Sequence, residues 1–299
     1  METQHCPSYA LVYQEMGQTF RDLPINTSEI FCKQLAAFLQ GAASRHQHFH
    51  HITSISALKS ILKSKRWKFG SALKCNDLQE INGKGDKEIW ANLFSLSLSH
   101  GDEDNVGMWN MYGGNDKPNK VCITLSQTYL SRWKKEIEEG TIPCYRYLQP
   151  QKDETVKLKS FGSVSKVSLH DIVYAYGYRN DCFSALHWGN NVLSLRSDTS
   201  MMDPSAYASL TSFIKNSAWE YEQETRLTLN VENEQYRLKD IYVGIPDYIF
   251  ENMIIRLGPY FSQPLLQYQI QDELDTLPAN IKNAIISEIA ISYFNGRIN

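Results

Sequence analysis

The chain has 299 residues, of which 42% are hydrophobic and 21% charged, and its net charge is −3. That is enough apolar side chain for a packed core, and it excludes a globally disordered chain. There is no basic excess to advertise binding to nucleic acid or an anionic membrane, and no run approaches the ~18 apolar residues of a membrane span.

Met1 to Phe20 has no basic start and no continuous apolar stretch, so no signal peptide is expected. The cysteines (Cys6, Cys32, Cys75, Cys122, Cys144 and Cys182) are scattered and form no C-x-x-C pair. They read as reduced thiols of a cytoplasmic protein, not as a zinc site or a disulfide framework.

Residues 1–45 read as an N-terminal helical extension. Phe31, Leu35, Phe38 and Leu39 line one face of a helix that Ser28 can cap and Gly41 can end. Phe49 to Thr53 is a short strand. Ser54 or Ser56 then caps a helix carrying Leu58, Ile61 and Leu62 on one side. Trp67 to Phe69 is a further short strand, and Asn76-Asp77 marks a turn before a helix through Trp90.

Phe94 to Ser99 alternates apolar residues with serine. A period of two puts Ser95, Ser97 and Ser99 on one face and Phe94, Leu96 and Leu98 on the other. A helix through Met108, Trp109 and Tyr112 stops at Gly113-Gly114. Val121 to Leu125 reads as a strand, Tyr129 to Ile137 as a helix and Asp171 to Tyr178 as a strand, while 180–204 reads as a long loop. Ala218 to Val231 is the clearest late strand, followed by Leu238 to Val243 and Ile254 to Leu257. A tail of 261–299 holds a helix from Ala279 to Phe294. The expected fold is therefore α+β, with a core domain over 46–260 and a bent or split antiparallel-rich sheet flanked by helices.

Three elements carry candidate chemistry. On the late strand, alternation puts Glu222, Glu224 and Arg226 on one face and Tyr221, Leu227, Leu229 and Val231 on the other, so two carboxylates stand beside a guanidinium. Such a row can stabilise a developing cation or hold a sugar hydroxyl; it is equally what a solvated strand face with ordinary charge pairing looks like. His51 and Thr53 on the first strand offer donors and acceptors for a ribose or an amide. His46 and His48 lie close by, but the cluster holds no Cys or Asp and reads without a metal. The third element is the serine row, with Trp109 and Tyr112 as an aromatic platform; aromatic residues at helical spacing are more often core. No phosphate-cradling glycine loop, nucleophile elbow or zinc-protease motif is present.

In order along the chain, His51-Ile52-Thr53, Asn76-Asp77-Leu78-Gln79-Glu80, Phe94 to Ser99, Met108-Trp109-Asn110-Met111-Tyr112 and Trp219 to Arg226 resemble the motifs of a bacterial family known as domain of unknown function 2971. A second, weaker resemblance is to the ADP-ribosyltransferases. It rests on a strand His, a Ser-rich strand and a late E-x-E, here Glu222-Gln223-Glu224. In that superfamily E-x-E usually accompanies a first-strand Arg, whereas this chain offers His51.

This second resemblance implies an ADP-ribosyltransferase-like fold that cleaves the nicotinamide–ribose bond of NAD, as a toxin or phage-defence effector. Glu224 would be the catalytic carboxylate and Glu222 its acceptor-side partner. His51 would hold the nicotinamide ribose or carboxamide, Ser97 would orient Glu224, and Tyr112 or Trp109 would stack on nicotinamide, with Thr53 and Arg226 completing the site. The alternatives are a catalytically inactive module that senses a nucleotide or a nucleic-acid end, and an interaction protein whose motif residues simply pack. No acceptor macromolecule is specified.

Overall fold

In a computed structural model of the chain, the described residues are 28–74, 91–113, 119–147, 158–161, 164, 166–175, 212–231, 240–261 and 266–295. Asn76-Asp77 and the 180–204 loop lie outside them. The chain divides into two compact units, one of residues 1–45, 72–91 and 170–220, the other of 46–71, 92–169 and 221–299. No helix among the described residues is long and apolar enough to cross a membrane.

In the first unit, α1 runs over Ser28–Ala43. Gly41 does not end it, because two alanines that are fully buried, Ala42 and Ala43, carry it two residues further. Ser44 then donates its hydroxyl to the Gly41 carbonyl at 2.7 Å. The same unit holds a two-stranded parallel pair, β8 (Val173–Ala175) and β9 (Ile214–Asn216).

The second unit is built on a mostly antiparallel sheet. Its strands up to β7 are β1 (His48–Ser54), β2 (Arg66–Ser71), β3 (Leu93–Ser99), β4 (Lys120–Ser126), β5 (Cys144–Tyr147), β6 (Leu158–Phe161) and β7 (Lys166–Asp171), of which residues 166–169 lie in this unit. After these come β10 (Glu224–Asn230), β11 (Asp240–Gly244), β12 (Ile254–Leu257) and β13 (Ile289–Ile291). The spatial order is β13-β12-β4-β1-β3-β2-β11-β5-β6, with β10 pairing β3 and β7.

β3 is the branch point of this sheet. One of its edges is paired along its whole length by β10. The other edge is shared: Ser99 pairs His50 of β1 at one end, while Ser95 and Phe94 pair Gly70 and Ser71 of β2 at the other. β1 and β2 therefore diverge, and the sheet splits beside Leu96 to Leu98. The His51 ring lies against Trp67 of β2 at 5.4 Å and its Nδ1 is 3.0 Å from the Ser97 carbonyl oxygen.

Helices cover the apolar face. In α2 (Ile55–Ser64), Ser54 caps the first turn by accepting from the Ala57 amide, and Ile55, Leu58, Ile61 and Leu62 are buried. In α4 (Gln127–Glu138), Leu130, Trp133 and Ile137 are buried, and the Trp133 indole donates to the Gly244 carbonyl at 2.9 Å.

Three further expected elements differ. The strand expected over Asp171 to Tyr178 is divided, with Asp171 ending β7 and Val173–Ala175 forming β8. The stretch expected to be strand from Ala218 is a 3-10 turn over Ser217–Glu222, and the strand begins only at Glu224. The Asn216 side chain accepts from the Ala218 amide and starts the turn. Gln223, with φ of 43°, then sits in the left-handed region between the turn and the strand. The tail helix is α5 (Ala279–Ser287) and ends seven residues early. The β-branched Ile289 and Ile291 leave it to pair in parallel with β12. The tail thus belongs to the sheet of the second unit.

Candidate functional site

The three registers around β3 align one residue from each of four strands. Thr124 of β4 pairs His50, His50 pairs Ser99, and Ser99 pairs Glu224. Paired residues on antiparallel strands share a face, so these side chains form a polar row across the sheet. All four are buried. The next pair along β3 and β10 is Ser97 with Arg226, and Ser97 is exposed.

Glu224 is tied to Arg226 through both carboxylate oxygens. Nε donates to Oε1 at 2.7 Å and the second guanidinium nitrogen donates to Oε2 at 2.9 Å. The two side chains are 4% and 6% exposed, so neither charge is tolerable alone and the fork supplies the counter-charge. Glu222, also buried, accepts from the Tyr112 hydroxyl. Burial, and then the neighbouring Glu222 carboxylate, push the Tyr112 phenol well up, so it stays protonated and donates.

Tyr112 is positioned by the short helix α3 (Val106–Met111). Asn105 caps it by accepting from the Met108 amide, and its Nδ2 donates to the Tyr221 carbonyl, tying the helix to the turn that carries Glu222. At the other end, Lys120 donates to the Trp109 carbonyl at 2.7 Å. Gly113 follows at φ of 82°, and a Cβ there would come within 3.0 Å of the Thr53 carbonyl oxygen. Asp104 accepts from the Trp109 indole, from the Ser292 hydroxyl and from the Tyr293 amide. Residues far along the chain therefore hold α3 in place.

His50 donates to or accepts from the Thr124 hydroxyl at 2.9 Å. Burial, followed by the charges of His48 and Arg256, pushes its pKa down to about 4, with Asp102 opposing. The imidazole is neutral at neutral pH.

Of the residues singled out from sequence, Glu222, Glu224, Arg226 and Tyr112 come together, and Ser97 stands at the edge of the group. Ser99, not Ser97, is the residue opposite Glu224. His51 and Thr53 fall on the other face of β1 from the polar row, and burial lowers the His51 pKa as well. Trp109 is fully buried with its indole bonded to Asp104, and packs with Ile52, Met108 and Cys122, so it is core and not a stacking platform.

Sequence reasoning missed His50. Alternation along β1 separates His50 from His51, but only the pairing with β3 tells which of them faces Glu224. No family model, curated protein or solved structure matches the chain.

Proposed function

We propose that the chain belongs with the domain of unknown function 2971 proteins it resembles and acts as an ADP-ribosyltransferase-like enzyme on NAD. The observation that carries this reading is the row His50, Ser99 and Glu224 across three neighbouring strands, flanked by Glu222 and Arg226. A strand His, a strand Ser and a late Glu are the three positions of the resemblance, with His50 and Ser99 in the roles first given to His51 and Ser97.

In this reading the nicotinamide–ribose bond breaks with its electron pair leaving on nicotinamide, and an acceptor nucleophile or water adds to the ribose carbon. The Glu224 carboxylate stabilises the cationic transition state and takes a ribose hydroxyl as donor. A carboxylate accepts about four hydrogen bonds, so the Arg226 fork does not exhaust it. Fixed charge in a site shielded from water is a large catalytic contribution. Ser99 and neutral His50 orient the sugar, and Tyr112 holds Glu222 for the acceptor.

A second reading, a nucleotide-sensing module without turnover, draws on the same fork: both Glu224 oxygens are already engaged by Arg226.

The test is to follow free nicotinamide by proton NMR after mixing the protein with NAD, in buffer and in cell lysate, with Glu224→Gln and Glu222→Gln alongside. Because Glu224→Gln also strips Arg226 of its partner, a thermal melt accompanies each variant. Release by wild type that a folded variant loses supports the enzyme. A wild type that releases nicotinamide in neither medium retires it in favour of the sensing module.

A further inference from the structure

The polar face continues past Ser97 and changes character. Across β3, Ser95 pairs Gly70 of β2. Along β2, Trp67, Phe69 and Ser71 are buried while Arg66, Lys68 and Gly70 face outward. The registers then carry the same face across two further strands: Lys68 pairs Tyr242 of β11, and Tyr242 pairs Tyr145 of β5. Arg66 is opposite Gly244. With no side chain in the way, its guanidinium reaches over Gly244 and lies 4.1 Å above the Tyr145 ring. Lys68 is 55% exposed, with its ammonium 3.3 Å from Asp240.

This face is therefore polarised. The carboxylates sit at one end, serines in the middle, and two cations with two tyrosines at the other end. Each part of the basic end has a chemical preference. Arg66 presents a planar fork suited to phosphate oxygens. Lys68 keeps its ammonium at the surface, with 55% of its side chain exposed against 15% for Asp240, so it can turn a donor to an anion arriving from solvent while Asp240 stays in place. The Tyr145 ring stacked with the Arg66 guanidinium, with Tyr242 opposite it in register, suits a planar base, as aromatic residues do in single-stranded nucleic-acid sites.

We propose that Arg66, Lys68, Tyr145 and Tyr242 form a subsite for a nucleoside diphosphate. This deepens the NAD reading by assigning the half of the ligand that does not react, and it rests on that reading only for the identity of the rest of the molecule.

The experiment is calorimetric titration of adenosine diphosphate into the full chain and into Arg66→Ala and Lys68→Ala. Inorganic pyrophosphate and oligothymidylate serve as comparison probes. The expected result is saturable binding weakened about tenfold by each substitution, with unchanged melting temperature for Lys68→Ala and weaker binding of pyrophosphate than of the diphosphate nucleoside. No binding of adenosine diphosphate, or binding that both variants leave within about twofold, overturns the proposal. So does pyrophosphate binding as tightly as the nucleotide, which would leave the tyrosines without a role, or oligothymidylate binding more tightly than the nucleotide. Nucleotide binding through this patch without nicotinamide release would retire the catalytic reading alone. Release by a protein whose nucleotide binding ignores both substitutions would retire the subsite alone.

Discussion

The two ends of the polar sheet face keep charge in opposite ways. At the β10 end, Glu222, Glu224 and Arg226 are each at most 5% exposed and are held by specific partners. At the β2 end, Lys68 is 55% exposed beside the Asp240 carboxylate. The first arrangement fixes geometry and makes every partner essential. The second leaves charge available to an incoming group. A residue's sign and type are thus insufficient to say what it does; the water around it decides whether its charge is structural or offered.

The largest test of this contrast is Arg226→Met. Leaving Glu224 buried without its counter-charge is expected to cost about 3–5 kcal/mol, measured by urea unfolding at pH 7. Adding Glu224→Leu is expected to recover most of the loss, and if it does not, the fork is not what Arg226 contributes.

Acid gives the next effect. The folded-state pKa of His50 is lowered to about 4 from 6.5, so the unfolded chain binds the proton first. Stability from this group is complete above pH 6.5 and is lost as pH falls from 6.5 to 4, about 3 kcal/mol in all. The lowered His51 pKa adds in the same direction. Urea midpoints at pH 7, 5.5 and 4 check it, and His50→Gln is expected to flatten the profile.

Tyr112→Phe removes the donor to buried Glu222 and is expected to cost about 1–3 kcal/mol, again from urea unfolding. The smallest effect is Lys68→Ala. Lys68 is 55% exposed and only its Asp240 partner is largely covered, so the loss is expected to stay within about 1 kcal/mol by urea unfolding, and a larger loss would mean that Lys68 is structural like Arg226.

Much of the fold was legible locally. Serine alternation in β3, the Ser54 cap, the Gly113 stop and the strand at Ile254 to Leu257 each depend on a few neighbouring residues, and the structure has them where the pattern puts them. The acidic pair was legible as composition but not as geometry. Alternation extended through Gln223 makes Glu222 and Glu224 co-facial on one strand, whereas a turn begun by Asn216 and a left-handed Gln223 take Glu222 off the strand. The choice between His50 and His51, and the joining of Arg66 and Lys68 to Tyr145, depend on registers between strands far apart in sequence, and no local pattern encodes those. The exit of the tail from helix into β13 is similarly set by an available edge of β12.

The bonds from Asp104 to Ser292 and Tyr293 also set a schedule. Glu222 and Glu224 leave the ribosome about seventy residues before the segment that steadies the helix carrying Tyr112. A nascent chain can therefore fold most of its sheet while the acidic end is still incomplete.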